Sequence, residues 1–500
     1  MAAVPHFINS DHMVFSSQIF FFYFLPLALA VYYGLPRRGR HLALTLLSYI
    51  FYGWANPLFV VLLLTSTMIN YVCGLKIAGE NLTAAPSLPY LSVAPLSDRD
   101  TLRQKKAWLL VSVVTSLAML GFFKYFNFTM ENYNALIQWL GLAHMKLETA
   151  IRVTLPLGIS FYTFHLMSYT IDVYRGQAKV LRNIVDFACY ISLFSQLVAG
   201  PIIRFREIAD QMLNRTHTPE KFARGVAFIS LGLAKKVLLA NPCGKIADVV
   251  FDAGSRGVLD AWYGLVAYAF QIYFDFSAYS DMAIGLGLML GFVFPKNFDS
   301  PYLSQSITEF WRRWHISLST WLRDYLYVPL GGNRKGGWRT YFNLAVVMLL
   351  GGLWHGASWN FVIWGGIHGG MLVMERAQGK DALYRRMPRP LRIAMTFVIV
   401  MIAWVFFRAP DLPAALAYLG SLLGLSALQE GAGLLGGILY QPYYWGTFAV
   451  AALIVWGCPQ TWDWTRTIPR WKAAAIFVAL LTSLAVLMTQ SYNPFIYFIF

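Results

Sequence analysis

Charge is scarce in this 500-residue chain. Asp, Glu, Lys and Arg together make up 13% of it, about half of what a soluble protein of that length carries. That shortage excludes an ordinary water-exposed globular surface. Cysteine is scarce too: Cys73, Cys189, Cys243 and Cys458 stand apart, without CxxC spacing and mostly in apolar runs. They read as packing residues, not as a disulfide framework or a metal site. No Walker loop, GxSxG elbow or Rossmann glycine pattern occurs, which removes the common nucleotide-binding and serine-hydrolase readings. With no HxxxH and no carboxylate triad, no metal is expected. The alternating ten-residue strands of an outer-membrane barrel are missing as well, and helices remain as the way to satisfy a backbone in lipid.

What the chain has is apolar length. It is 57% hydrophobic, with a mean hydropathy of +0.51. Ile19–Val31, Ala107–Phe123, Leu391–Val405 and Ala473–Met488 are nearly free of charge and approach or reach the length that crosses roughly 30 Å of hydrocarbon. Aromatic residues, 16% of the chain, suit interfacial belts as well as helix packing. The formal charge of +16 is read as Lys and Arg gathered in cytoplasmic loops beside anionic headgroups, not as nucleic-acid binding.

Those basic loops set an expected path. Clusters fall at Arg37/Arg38/Arg40, Arg103/Lys105/Lys106, Arg204–Arg224, Lys296–Arg339, Arg376–Arg392 and Arg466–Lys472. Placed together in the cytoplasm, they put the N-terminus outside. They also make Ile184–Gly200 a segment that does not cross fully, and fold Tyr341–Gly352 and Trp359–Met374 into a hairpin turning near His355-Gly356. The expectation is an all-α polytopic integral protein of a cytoplasmic (inner) membrane. It has about eleven membrane segments, with re-entrant and interfacial helices. No internal repeat or soluble domain is visible, so residues 13–500 read as a single membrane domain with a core over about 150–375. The polar Met1–His12 lacks the basic start of a secretory signal; it reads as an extension, with Met13 an alternative start.

Ionisable residues within apolar segments are functional candidates by default. His355 sits in Leu350-Gly-Gly-Leu-Trp-His-Gly-Ala-Ser-Trp359, between Trp354 and Gly356, where small residues allow a substrate close approach. An imidazole titrates near ~6.5 and serves as a general base at neutral pH. A histidine hydrogen-bonded between helices is the plainer reading, and His368, in the next apolar run, is taken that way. His315 lies in Phe310-Trp-Arg-Arg-Trp-His-Ile-Ser-Leu-Ser-Thr-Trp-Leu-Arg-Asp-Tyr325. On one helix Trp311 and Arg312 share its face, and Glu309 and Arg313 form an i,i+4 pair. An interfacial helix with snorkelling arginines explains the arginines singly, but not the mixture of Glu309, His315 and Asp324. The third constellation is Tyr273-Phe-Asp-Phe-Ser-Ala-Tyr-Ser-Asp281. Asp275 and Asp281 point about 120° apart on a helix and so face different partners, an arginine of 312–323 for one and a histidine for the other.

Taken together, Tyr273–Asp281, Phe310–Tyr325 with Leu330-Gly-Gly-Asn-Arg334, and Leu353-Trp-His-Gly-Ala357 resemble the membrane-bound O-acyltransferase family, nearest its bacterial alginate O-acetylation branch. Met13-Val-Phe-Ser-Ser17 and Asn493-Pro-Phe-Ile-Tyr-Phe498 fit the same branch, so the likeness covers nearly the whole chain. The resemblance implies a multi-helix fold around a catalytic funnel. The family's near-invariant histidine falls on His355, and its second, Asn-or-His position falls on His315. It implies acyl transfer from cytoplasmic acetyl-CoA, with no permanently bound cofactor, to a hydroxyl presented from the other side. The same segments supply the candidate substrate-binding residues Asp275, Tyr279, Asp281, Glu309, Trp311, Arg312, Arg313, Arg323, Tyr325, Asn333 and Trp354. Arg312, Arg313, Arg323, Arg334 and Lys335 are placed to hold the phosphates of the donor, although Arg323 has Asp324 or Asp281 as a rival partner. Implied partners are membrane lipid, a periplasmic or membrane-anchored acetyltransferase that receives the acyl group, and the polysaccharide synthesis and export machinery. D-alanyl or another acyl transfer remains open, as does a scaffold that works only through a partner enzyme. A transporter is the rival from another class, and the lack of inverted repeats counts against it.

Overall fold

The computed structural model describes residues 13–79, 90–91, 99–147, 152–198, 200–379, 386–426 and 433–496. The extension Met1–His12 and residues 497–500 lie outside them. The described residues are mostly helical; a two-residue antiparallel pair, Tyr90–Leu91 with Val180–Leu181, is the one sheet among them. The chain forms two compact units, one of residues 1–219 and 287–294, the other of residues 220–286 and 295–500.

In the first unit, a π-helical turn at Phe20–Phe24 leads into α1 (Leu25–Gly34), followed by α2 (Arg37–Gly53), α3 (Pro57–Ala78) and α4 (Arg99–Trp139). The 41 residues of α4 run about 60 Å, twice the thickness of the hydrocarbon. Then come α5 (Ile159–Tyr174), α6 (Ile184–Ser192), α7 (Phe194–Leu197) and α8 (Phe205–Asn214). The stretch expected not to cross is thus cut into pieces of nine and four residues. Without a hydrophobic drive between helices in lipid, small polar side chains tie them together. Asn70 of α3 donates to Ser116 at 3.2 Å and accepts from Ser112 at 2.6 Å on α4, and Ser112 meets Thr170 of α5 at 2.7 Å.

The second unit holds α9 (Pro219–Ala234), α10 (Asn241–Phe251), α11 (Val258–Met289), α12 (Ile307–Arg313), α13 (Ile316–Leu322), α14 (Gly337–His355) and α15 (Trp359–Ala377). It continues with α16 (Arg389–Arg408), α17 (Leu412–Leu422), α18 (Leu434–Leu439), α19 (Pro442–Gly457), α20 (Thr461–Trp464) and α21 (Arg470–Thr489). Between α9 and α10 the helix widens into a π turn at Lys235–Ala240, because Pro242 has no N–H for the Leu238 carbonyl and its ring crowds it. Among the described residues, Pro57–Ala78, Asp100–Trp139, Arg389–Arg408 and Arg470–Thr489 are long and apolar enough to cross a membrane.

Candidate active site

His355 ends α14, and the expected hairpin is there: α14 and α15 pack antiparallel across the turn 356–358. Its closeness explains the glycines. A Cβ on Gly352 would stand 2.2 Å from the Phe361 carbonyl oxygen, and one on Gly365 would stand 2.5 Å from that of Met348. Small residues let two backbones touch. At Gly356 a Cβ would meet the Phe361 ring at 2.0 Å. Gly352 and Gly356 therefore serve the close packing of the hairpin. The His355 ring, 6% exposed with its residue, is walled by Trp354 at 5.0 Å, Trp364 at 5.2 Å and Phe407 at 5.3 Å between centroids.

His315 reaches the same place from a different kind of element. Residues 310–325, expected as one helix, form two: α12 ends at Arg313 and α13 starts at Ile316. His315 lies between them in the left-handed region, at φ 45° and ψ 55°. Ser300 is the other non-glycine with positive φ among the described residues. A histidine held there is strained, and such strain collects at functional sites. The strain is held by Asn297. Its carbonyl accepts from the Ile316 N–H at 2.9 Å, and its side chain accepts from the Ser317 N–H at 3.2 Å and the Ser317 hydroxyl at 2.9 Å. Because of the break, Trp311 and Arg312 do not share a face with His315. Trp311 instead donates its indole N–H to His368 Nδ1 at 3.3 Å, in keeping with a structural His368, and Arg312 is exposed.

The two imidazoles lie 6.4 Å apart between centroids, too far for their nitrogens to bond to each other. His315 is fully buried, against Phe276 at 4.6 Å and Trp354 at 6.2 Å, and neither of its ring nitrogens has a hydrogen-bond partner. A buried imidazole with both nitrogens unused is expensive unless something else uses them. Burial, then the neighbouring His355, hold its pKa well below the ordinary histidine value, so the ring is neutral and one nitrogen carries a proton to donate.

The carboxylates take partners that the sequence reading did not name. Asp275 forms a buried ion pair with Lys236 at 2.6 Å and accepts from the Ile496 N–H at 2.9 Å; Lys236 also donates to the Pro494 carbonyl. Asp281 pairs with Lys235 at 2.8 Å. The two do face different partners, but these are lysines of the π turn, not an arginine of 312–323 and a histidine. Tyr279 stacks on Phe495 at 4.2 Å. Glu309 and Arg313 form the expected pair at 2.8 Å. Arg323 pairs with Asp324 at 2.8 Å, Tyr325 packs on Trp321 at 5.0 Å, and the exposed Asn333 accepts from the Tyr327 hydroxyl. Of the candidates, the structure brings His315, His355 and Trp354 together. Glu375 was missed: its buried carboxylate accepts from the Ile307 and Thr308 N–H groups at 2.7 and 2.9 Å, capping α12. Sequence carries no signal for a cap supplied from 68 residues away.

Apolar spanning helices and two neighbouring buried imidazoles put the chain in a class, that of multi-pass membrane proteins with a paired histidine site. The profile of the membrane-bound O-acyltransferase family matches residues 175–409. The chain is 44% identical over 510 residues to a protein of Pseudomonas putida named probable alginate O-acetylase, covering 98% of this chain and 100% of that one. It is 49% identical over 403 residues to the Azotobacter vinelandii protein of the same name, covering 81% and 76%. It is 36% identical over 464 residues to the peptidoglycan O-acetyltransferase of Helicobacter pylori, covering 86% and 83%. The chain belongs to the membrane-bound O-acyltransferase family and is an O-acyltransferase.

Proposed function

We propose that the chain takes an acetyl group from acetyl-CoA on the cytoplasmic side of the bacterial inner membrane and passes it across for O-acetylation of an exported, alginate-like polysaccharide. The observation that carries this reading is the histidine pair, with its 6.4 Å spacing and the unpartnered nitrogens of His315. The names of the relatives support the substrate class. His315 donates a hydrogen bond to the thioester carbonyl and holds the negative charge that develops on its oxygen. His355 takes the proton of the acceptor hydroxyl as its oxygen attacks the carbonyl carbon. The new C–O bond forms, the C–S bond breaks, and His355 returns the proton to the departing thiolate. Asp275, Tyr279, Asp281, Glu309 and Trp311 act here as scaffolding for that geometry. The exposed Arg312, Arg334 and Lys335 bind the phosphates of the donor from the cytoplasm, while Arg323 is held by Asp324. About eleven membrane segments enclose a funnel to the pair, and the acceptor is polymer or a periplasmic or membrane-anchored acetyltransferase that completes the transfer.

Sealed inside-out membrane vesicles, given acetyl-labelled CoA, test the reading. Label should leave the donor in wild-type vesicles and stay on it in His355→Ala vesicles. Equal release from both, or release only when the donor is supplied to the opposite face, would contradict it.

A further inference from the structure

Away from the histidine pair, the first unit gathers cationic groups with little negative charge to balance them. α2 opens on Arg37, Arg38 and Arg40 with no acidic residue in its first turn, although the amino end of a helix disfavours cations. The Arg40 guanidinium stands 5.1 Å from the centroid of the Tyr32 ring and 5.9 Å from that of Tyr33. Arg215 comes within 5.8 Å of the same Tyr32 ring and donates through Nε to its hydroxyl at 2.9 Å. That hydroxyl meets His217 Nε2 at 2.7 Å and donates to the Leu290 carbonyl at 2.8 Å. Asp186 is taken by His41, whose Nδ1 lies 2.6 Å away and whose Nε2 meets Arg215 Nη1 at 2.5 Å. Among the described residues, no carboxylate pairs with Arg37, Arg40 or Arg215.

The arrangement is built, not a chance meeting of surface side chains. Tyr32 is fully buried. His217 is backed by Gly291, at φ +87°, where a Cβ would stand 2.9 Å from Nε2. Two guanidinium groups and an imidazole are thus fixed around one phenol, and the Asp186 carboxylate reaches Arg215 only through the His41 ring. Burial first, and next Arg215, Arg40 and, more weakly, Arg37, push the His217 pKa below its ordinary value. Like charges held together in this way are relieved by an anion, and guanidinium forks fit the oxygens of a phosphate.

We propose that Arg37, Arg40, Arg215 and His217 form a binding site for a phosphate ester, either the headgroup of an anionic phospholipid or a soluble phosphate-bearing molecule. The site is separate from the histidine pair and does not depend on the reading given for it. Nanodiscs of phosphatidylcholine containing the full chain and a minor fraction of phosphatidylglycerol test it, with native mass spectrometry counting the retained anionic lipid. Inorganic pyrophosphate, titrated against the same particles, tests the soluble source. Arg37→Gln/Arg40→Gln should weaken the relevant probe on the order of tenfold per arginine that contacts the phosphate, and Arg215→Lys should weaken it less. Loss of phosphatidylglycerol alone assigns a lipid headgroup; loss of pyrophosphate alone assigns a soluble ligand. If both probes bind wild type and a normally melting double variant alike, the proposal is overturned. Should the double variant melt early, wild type decides. Either a bound phosphatidylglycerol survives, or pyrophosphate raises the melting temperature beyond sodium chloride of equal ionic strength, and failure of both overturns it.

Discussion

Cutting the ion pair of Lys236 and Asp275 from one side is the perturbation whose cost the structure sets most sharply. Their side chains are 2% and 1% exposed and 2.6 Å apart. Asp275→Asn keeps the shape and removes the charge, stranding an ammonium in the interior. Breaking one side of such a pair costs about 3–5 kcal/mol. Lys236→Met with Asp275→Leu leaves no orphan charge. It forfeits the bonds to Ile496 and Pro494, about 1 kcal/mol each plus the burden of two unpaired backbone groups. The double variant should therefore melt between wild type and the single variants, a non-additivity that a double-mutant cycle reads directly. The assay is tryptophan-fluorescence melting of the chain purified in detergent. Acetylation of the polymer should follow the same order, because Phe276, beside Asp275, is what the His315 ring rests on. Single variants that melt with wild type but do not acetylate would refute this account, and would make Asp275 a substrate ligand instead.

Three further outcomes follow from the same geometry. His315→Asn keeps a donor and tolerates the left-handed backbone, whereas His315→Ala keeps neither. Alanine should cost about 10²–10³-fold in turnover and asparagine less; equal rates would remove the hydrogen-bonding role. Gly356→Ala drives a Cβ into the Phe361 ring, so polymer acetylation should fall about fivefold or more through an overpacking cost of about 1–3 kcal/mol, and Phe361→Ala in the same chain should restore part of it. Burial already keeps His315 neutral, and lowering the pH charges it only well below the ordinary histidine range. The acid limb of the pH–rate profile should then hold its position in His315→Asn while the plateau drops; a shifted limb would show that His315 titrates in the working range.

Local pattern made some of this legible. The α14–α15 hairpin followed from two apolar runs between basic clusters. The Glu309–Arg313 pair followed from i,i+4 spacing within a helix that does form there. The divergence of Asp275 and Asp281 followed from helical geometry alone. What stayed hidden was set by distant residues. The break at His315 is imposed by Asn297, and nothing in Arg313-Trp-His-Ile316 announces it. Nothing local marks Lys235 and Lys236 as ion-pair partners; α11 supplies both aspartates. The glycines around His355 were visible, but only the Phe361 contact shows what they are for.

Acetyl content of the exported polymer in cells carrying His355→Ala in place of the wild-type chain tests the central claim most directly. With protein levels in the membrane matched, the account predicts a fall of about 10²–10⁴-fold, the usual worth of a positioned general base. Wild-type acetylation from that variant would contradict it.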